Sequence, residues 1–70
     1  MKNKIDVFGG MDYVSINGIR VNSQNINSFN LIPDGKIDNT LYYKVRKSDK
    51  NFFIYHDLDT GKVDWVETKD

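Results

Sequence analysis

The chain contains a single histidine, His56, and it lies directly beside an aspartate, Asp57. A histidine with a carboxylate partner is the pair that positions a general base in many hydrolases. The chain has no cysteine, however, and no serine stands in the glycine-flanked setting of a nucleophile elbow. Neighbouring residues of a strand also point to opposite faces, so Asp57 is poorly placed to orient His56. We therefore expect a strand-end histidine without a catalytic role, and a protein that is not an enzyme.

Three carboxylates surround a glycine turn in the segment 57–64, Asp-Leu-Asp-Thr-Gly-Lys-Val-Asp. Calcium loops use alternating carboxylates in this way, but they also need further oxygen ligands and a bidentate glutamate. Lys62 and Val63 stand where such ligands would be required. Gly9-Gly10 leads into a strand pattern and lacks the following Lys-Ser/Thr pair of a phosphate loop. We expect solvated turn carboxylates, no metal site and no cofactor.

Aromatic and basic side chains are interleaved in the segment 41–67, which reads as three strands joined by two turns. The candidate binding residues, which fall on one predicted sheet face, are Tyr42, Lys44, Arg46, Phe53, Tyr55 and Trp65. Such a face can stack the bases of single-stranded nucleic acid. It can equally be a protein-binding hot spot, because Trp, Tyr and Arg dominate such sites. A third interpretation is structural, with the rings in the core and the basic stems packed along them.

The net charge of the chain helps to decide between nucleic-acid binding and protein recognition. Ten basic and ten acidic side chains give a formal net charge of zero. Proteins that bind duplex nucleic acid or anionic membranes usually carry a clear positive excess. Protein recognition therefore ranks above nucleic-acid binding, with a small ligand such as a nucleotide as a further possibility, and we expect no membrane partner.

The sequence predicts that the candidate binding residues lie on short strands, not on helices. The chain has no alanine and eight asparagines, which disfavours helices. Asn17-Gly18 between two alternating runs predicts a type I′ hairpin over 13–22 with Ile16 opposite Ile19. The predicted buried face is Val14, Ile16, Ile19 and Val21. The predicted wet face is Tyr13, Ser15, Arg20 and Asn22.

The remaining segments follow from local turn chemistry. Residues 4–8 predict an opening strand, and 23–30 predict coil with room for one helical turn. Pro33-Asp34-Gly35 predicts a turn with Gly35 in the left-handed region. A strand then enters at Ile37, with a break near Asp38-Asn39, and runs on to Arg46.

The registers of the segment 41–67 decide which side chains share a face. A turn at 48–51 places Val45 opposite Ile54, Arg46 opposite Phe53 and Lys44 opposite Tyr55. A three-residue turn with Gly61 in the left-handed position places Ile54 opposite Val66 and Tyr55 opposite Trp65. The predicted core face is Leu41, Tyr43, Val45, Ile54 and Val66. A slip of one residue at either turn would exchange the two faces.

Together these elements predict one small all-β domain over residues 1–70. Five to six short strands with a C-terminal three-stranded meander suit a small SH3-like or OB-like barrel, or a rolled antiparallel sheet. No apolar run approaches the length of a membrane span or a secretory signal, so we expect a cytoplasmic protein.

The most favoured function is that of a small non-enzymatic binding module acting by protein–protein interaction. The size, the lack of cysteine and the Asn- and Lys-rich composition are typical of phage or mobile-element products that modulate or inhibit a host protein. Exposed edge strands in so small a sheet also make a homodimer by strand pairing plausible.

Overall fold

The computed structural model describes residues 6–10 and 12–69, which form two antiparallel sheets and one short 3₁₀ helix. The first sheet has the order β1-β2-β3 and the second the order β4-β5-β6-β7. The strands are β1 (Val7–Gly9), β2 (Val14–Ile16), β3 (Ile19–Arg20), β4 (Gly35–Ile37), β5 (Thr40–Lys47), β6 (Lys50–Asp57) and β7 (Val63–Lys69). The all-β prediction is confirmed, with seven strands rather than five or six. Within the described ranges no ladder joins the two sheets into a closed barrel.

The first hairpin has the predicted turn. Asn17 and Gly18 have φ values of 55° and 83°, and Ile16 pairs with Ile19. The side chains lie on their predicted faces, but two burial predictions were wrong, since Ser15 is only 7% exposed and Ile19 is 53% exposed. β2 is the central strand of this sheet and is shielded on both flanks, whereas Ile19 lies on the two-residue edge strand β3. The opening strand is β1, and residues 4 and 5 of its predicted span lie outside the described residues.

The predicted helical turn is the 3₁₀ helix, Ile26–Phe29. Two asparagine side chains organise the chain before it. The Asn22 carboxamide accepts hydrogen bonds from the amides of Gln24 and Asn25 at 2.8 and 3.0 Å. Asn25 in turn accepts from the Asn22 amide at 2.8 Å and donates to the Arg20 carbonyl at 2.7 Å. These local bonds compete with a longer helix, which explains why a single turn forms.

The turn at Gly35 was placed wrongly. Gly35 begins strand β4, and the left-handed conformation falls on Asp38, with φ of 55°. Asp38-Asn39 is a two-residue hairpin turn that pairs Ile37 with Thr40. Aspartate tolerates the left-handed region, so it can occupy this turn. The break expected within one strand at Asp38-Asn39 is therefore the turn between two strands, β4 and β5. Gly35 instead lies directly against the phenol of Tyr42, so a Cβ at this position would force the Tyr42 ring to move.

The hydrophobic core contains buried residues of both sheets and of the 3₁₀ helix. It comprises Val7, Val14, Ile16, Val21, Ile26, Tyr43, Val45, Phe52 and Ile54. The half-buried residues packed against it are Phe29, Leu31, Leu41, Val63 and Trp65. At one end Lys47 links the sheets, since its Nζ lies 2.7 Å from the Asp6 carboxylate and donates to the Val7 carbonyl at 3.2 Å.

The close packing of Gly9 under Trp65 gives a stability prediction. A Cβ at Gly9 would lie 2.5 Å from the Trp65 ring and 3.2 Å from Phe52. We expect Gly9→Ala to lower the free energy of unfolding in urea by about 1–3 kcal/mol, as overpacking does. In a Trp65→Val background the same substitution should cost clearly less, because the obstructing ring is gone. Equal costs in the two backgrounds would contradict this packing.

The burial of Tyr43 predicts that the free energy of unfolding falls at alkaline pH. Burial raises the pKa of its phenol above the ordinary value of 10.0, because the folded protein disfavours the charged phenolate. This contribution is fully present below pH 10 and is lost as the pH rises through the folded pKa. Between about pH 9 and pH 11 the urea midpoint of the wild type should therefore fall more than that of Tyr43→Phe, which keeps the other tyrosines. Parallel curves would show that Tyr43 is not desolvated.

Candidate functional site

The four-stranded sheet has two different faces, which its registers define. The β5–β6 ladder pairs Tyr43 with Ile54 and Lys44 with Phe53, while the β6–β7 ladder pairs Ile54 with Trp65. Because side chains alternate along a strand, the partners of Ile54 share the inner, core-facing side. The opposite side, here called the outer face, carries Tyr42, Lys44, Arg46, Phe53, Tyr55, Asp64 and Val66.

The predicted β5–β6 register was wrong by two residues. Lys47 pairs with Lys50 around a two-residue turn, Ser48-Asp49, with Ser48 at φ of 55°. Val45 therefore lies opposite Phe52, not Ile54. Lys44 and Arg46 likewise oppose Phe53 and Asn51 rather than Tyr55 and Phe53. A shift of two residues leaves every side chain on its predicted face. Tyr42, Lys44, Arg46, Phe53 and Tyr55 accordingly share the outer face.

The predicted β6–β7 register was wrong by one residue, which does exchange the faces. The Asp57 amide donates to the Lys62 carbonyl at 2.9 Å, and the Gly61 amide donates to the Asp57 carbonyl at 2.7 Å. The loop between that closing pair is therefore one residue longer than the expected turn, although Gly61 is left-handed as predicted, with φ of 77°. The extra residue places Trp65 on the inner face and Val66, 48% exposed, on the outer face.

Trp65 is consequently a packing residue of the inner face. Its ring lies 6.2 Å from that of Phe52, centroid to centroid, and covers Gly9. It is half-buried against the core cluster, together with Val63. The structure thus separates Trp65 from the other five candidate binding residues. The sequence carried no signal for this, since Thr60 and Gly61 are compatible with turns of either length.

The aromatic rings of the outer face contact one another and the basic side chains. Tyr42 and Tyr55 lie opposite each other with ring centroids 6.4 Å apart. Lys44 Nζ lies 6.0 Å from the centroid of the Phe53 ring, within range of a cation–π contact. These three rings are half-buried by their neighbours in the sheet, so each presents part of its surface in a restricted orientation.

The first sheet and the 3₁₀ helix contribute to the core on the inner face of the four-stranded sheet. The buried hydrophobic residues of β1, β2 and the 3₁₀ helix all belong to the core cluster. Exposed charges surround the rings, with Lys44 and Arg46 on β5 and Asp64 on β7. Asp64 lies 4.0 Å from Lys62, so the basic side of the outer face is β5.

His56 and Asp57 direct their side chains to opposite sides of the sheet. His56 is buried on the inner face opposite Leu41 and Val63. Asp57 points to the other side, where its carboxylate accepts the Asp59 amide at 2.9 Å. The acidic turn therefore uses a carboxylate to hold its own backbone. Among the described residues, no three His, Asp or Glu side chains are grouped to hold a metal ion.

Comparison with family models, with curated proteins and with solved structures finds no match to this chain. In the described part of the chain, no helix has the length and apolar character needed to cross a bilayer. The function must therefore be argued from the surface of the protein itself, and the outer face is its most distinctive part.

Proposed function

We propose that this protein is a small non-catalytic module that binds another protein through the outer face of its four-stranded sheet. The observation that carries the proposal is a cluster of half-buried rings, Tyr42, Phe53 and Tyr55, on the face opposite the core, with the exposed Val66 beside them. Aromatic side chains surrounded by polar residues are what protein-binding hot spots contain.

The strands restrict these rings before binding. Tyr42 rests against Gly35, Tyr55 packs beside Tyr42, and Phe53 is flanked by Lys44. Each ring therefore loses little rotamer freedom when a partner covers it, and immobilising side chains is a main cost of association. Tyr and Phe have only two side-chain dihedrals, which reduces that cost further.

The charges around the rings indicate the chemistry of the partner. Lys44 is exposed on β5 beside the Phe53 ring, and Asp64 on β7 lies 4.0 Å from Lys62. A complementary surface has an apolar centre and carboxylates that meet β5. The composition of the chain favours a host protein as the partner of a phage or mobile-element product, with inhibition as the outcome of covering its surface.

Affinity capture from the native host tests this function. The wild type should enrich a defined protein, and Phe53→Ala and Tyr55→Ala should each reduce its recovery by about tenfold or more, as loss of a hot spot does. The control is Ile32→Ala, which removes a side chain that is 85% exposed and lies off the sheet. Circular dichroism checks that all variants fold. Equal recovery with wild type and both outer-face variants would contradict the proposal.

Single-stranded nucleic acid is the second candidate for the same face. The observation in its favour is the row of Lys44 and Arg46 beside the rings of Phe53 and Tyr55. If it is correct, labelled oligonucleotides will bind with an affinity that falls steeply with salt, with a slope of about −0.7 per phosphate neutralised. Arg46→Ala should reduce that slope, and Tyr55→Ala should remove stacking. Absence of binding at low salt would exclude this candidate and leave protein recognition.

A further inference from the structure

β7 forms one edge of the four-stranded sheet, and no other strand of the described residues pairs with its outer side. The bond from the Asp57 amide to the Lys62 carbonyl sets the alternation of the β6–β7 ladder. Residues 64, 66 and 68 therefore bond to β6. Val63, Trp65, Glu67 and Lys69 direct their amides and carbonyls away from the sheet. Within the described residues, no hydrogen bond from another element reaches these outward groups.

This alternation restricts how a second strand can pair with β7. In an antiparallel ladder, outward-directed residues of one strand must face outward-directed residues of the other. For two copies of β7 this requires an odd-numbered residue opposite an odd-numbered one. The register that uses all of Val63–Lys69 pairs Val63 with Lys69, Trp65 with Glu67, and Val66 with Val66. It places no like charges opposite each other.

The two neighbouring registers of a β7–β7 pair place less favourable residues opposite each other. Sliding the strands by one permitted step in one direction places Glu67 opposite Glu67, and like charges directly opposite destabilise a sheet. Sliding them in the other direction places Asp64 opposite the apolar Val66 and leaves the end of β7 beyond the paired segment. The full-length register is therefore the one that the charges and the length of β7 select.

A cleft beside β7 adds a second, independent complementarity. It has a volume of about 190 Å³ and is lined by Trp65 and Val63 from β7 and by Asp12, Tyr13 and Arg20 from the first hairpin region. The Arg20 guanidinium lies 5.1 Å above the Tyr13 ring. In the full-length register, Glu67 of the second copy stands opposite Trp65 on the inner side of the sheet. That is the side of the sheet on which Trp65 and Arg20 line the cleft.

We propose that this protein forms a twofold-symmetric dimer by antiparallel pairing of β7 with β7 of a second copy, centred on Val66. The pairing adds up to about eight backbone hydrogen bonds. It joins the two four-stranded sheets into one and brings the two outer faces side by side. A net charge of zero leaves no long-range repulsion between copies. The dimer stands independently of the function proposed for the outer face.

Disulfide trapping tests the register. In the dimer, Val66 forms a non-hydrogen-bonded pair with itself, with Cα atoms about 4.5 Å apart, which is within the range that a disulfide spans. The chain has no cysteine, so Val66→Cys introduces the only thiol. Mild oxidation should convert it rapidly to a covalent dimer. Ile32→Cys, at a side chain that is 85% exposed, should cross-link only slowly by collision. Equal rates for the two variants would overturn the proposal.

A proline at position 67 tests the dimer without removing a bond of the monomer. The Glu67 amide points outward, so Glu67→Pro should preserve the β6–β7 ladder while removing a donor from the new one. Sedimentation of the full chain should show a dissociation constant raised by about tenfold or more, since the symmetric dimer loses two donors. Glu67→Gln loses the same carboxylate, and with it the 3.3 Å ion pair with Lys50, but keeps the amide. The dissociation constant of Glu67→Pro should therefore exceed that of Glu67→Gln, and equal values would show that the amide makes no bond in the dimer.

The results that would overturn the dimer differ from those that would overturn the function of the outer face. A wild type that sediments as a monomer at all concentrations overturns the dimer, as does a folded Glu67→Pro variant that remains dimeric. If that variant does not fold, the cross-linking rates of Val66→Cys and Ile32→Cys decide. Loss of the dimer with retained capture of a host protein would leave the function of the outer face intact, so the two proposals fail separately.

Discussion

The length of the loop that joins β6 to β7 determines which side chains of β7 face the core and which lie on the outer face. Its closing hydrogen bond, from the Asp57 amide to the Lys62 carbonyl, places Ile54 opposite Trp65. One residue fewer in that loop would turn every side chain of β7 to the other face. The indole would then leave the core, and Val66 would enter it. The stability of the core and the chemistry of the outer face both depend on this single register.

β7 consequently contributes to three surfaces at once. Its odd-numbered side chains, including Trp65, close the core against Gly9 and Phe52. Its even-numbered side chains, including Val66, extend the apolar part of the outer face. Its backbone is a free edge that suits pairing with an identical strand. A seven-residue strand thus contributes to the core, to the outer face and to an edge of the sheet in a 70-residue chain without disulfides.

Local chemistry made part of this fold predictable from the sequence. Asn17-Gly18 specifies its hairpin because few other residues accept positive φ at both turn positions, and the asparagines around the 3₁₀ helix bond to their own backbone. Five of the six candidate residues were correctly placed on one face even though the β5–β6 register was wrong, since an error of two residues preserves the alternation of side chains. Trp65 was misplaced because loop length, not side-chain pattern, sets its face. The burial of Ser15 and Ile19 was predicted wrongly because it depends on which strand is central in the first sheet, which no local pattern encodes.

Cross-strand nuclear Overhauser effects test the β6–β7 register most directly. In an antiparallel ladder, the Hα protons of non-hydrogen-bonded pairs come closest. The structure predicts strong Hα–Hα effects between Ile54 and Trp65 and between Phe52 and Glu67, which are both pairs of that type. Cross-strand effects that instead pair Ile54 with Val66 and Tyr55 with Trp65 would contradict it. Trp65 would then lie on the outer face, and Val66 would take its place on the inner, core-facing side.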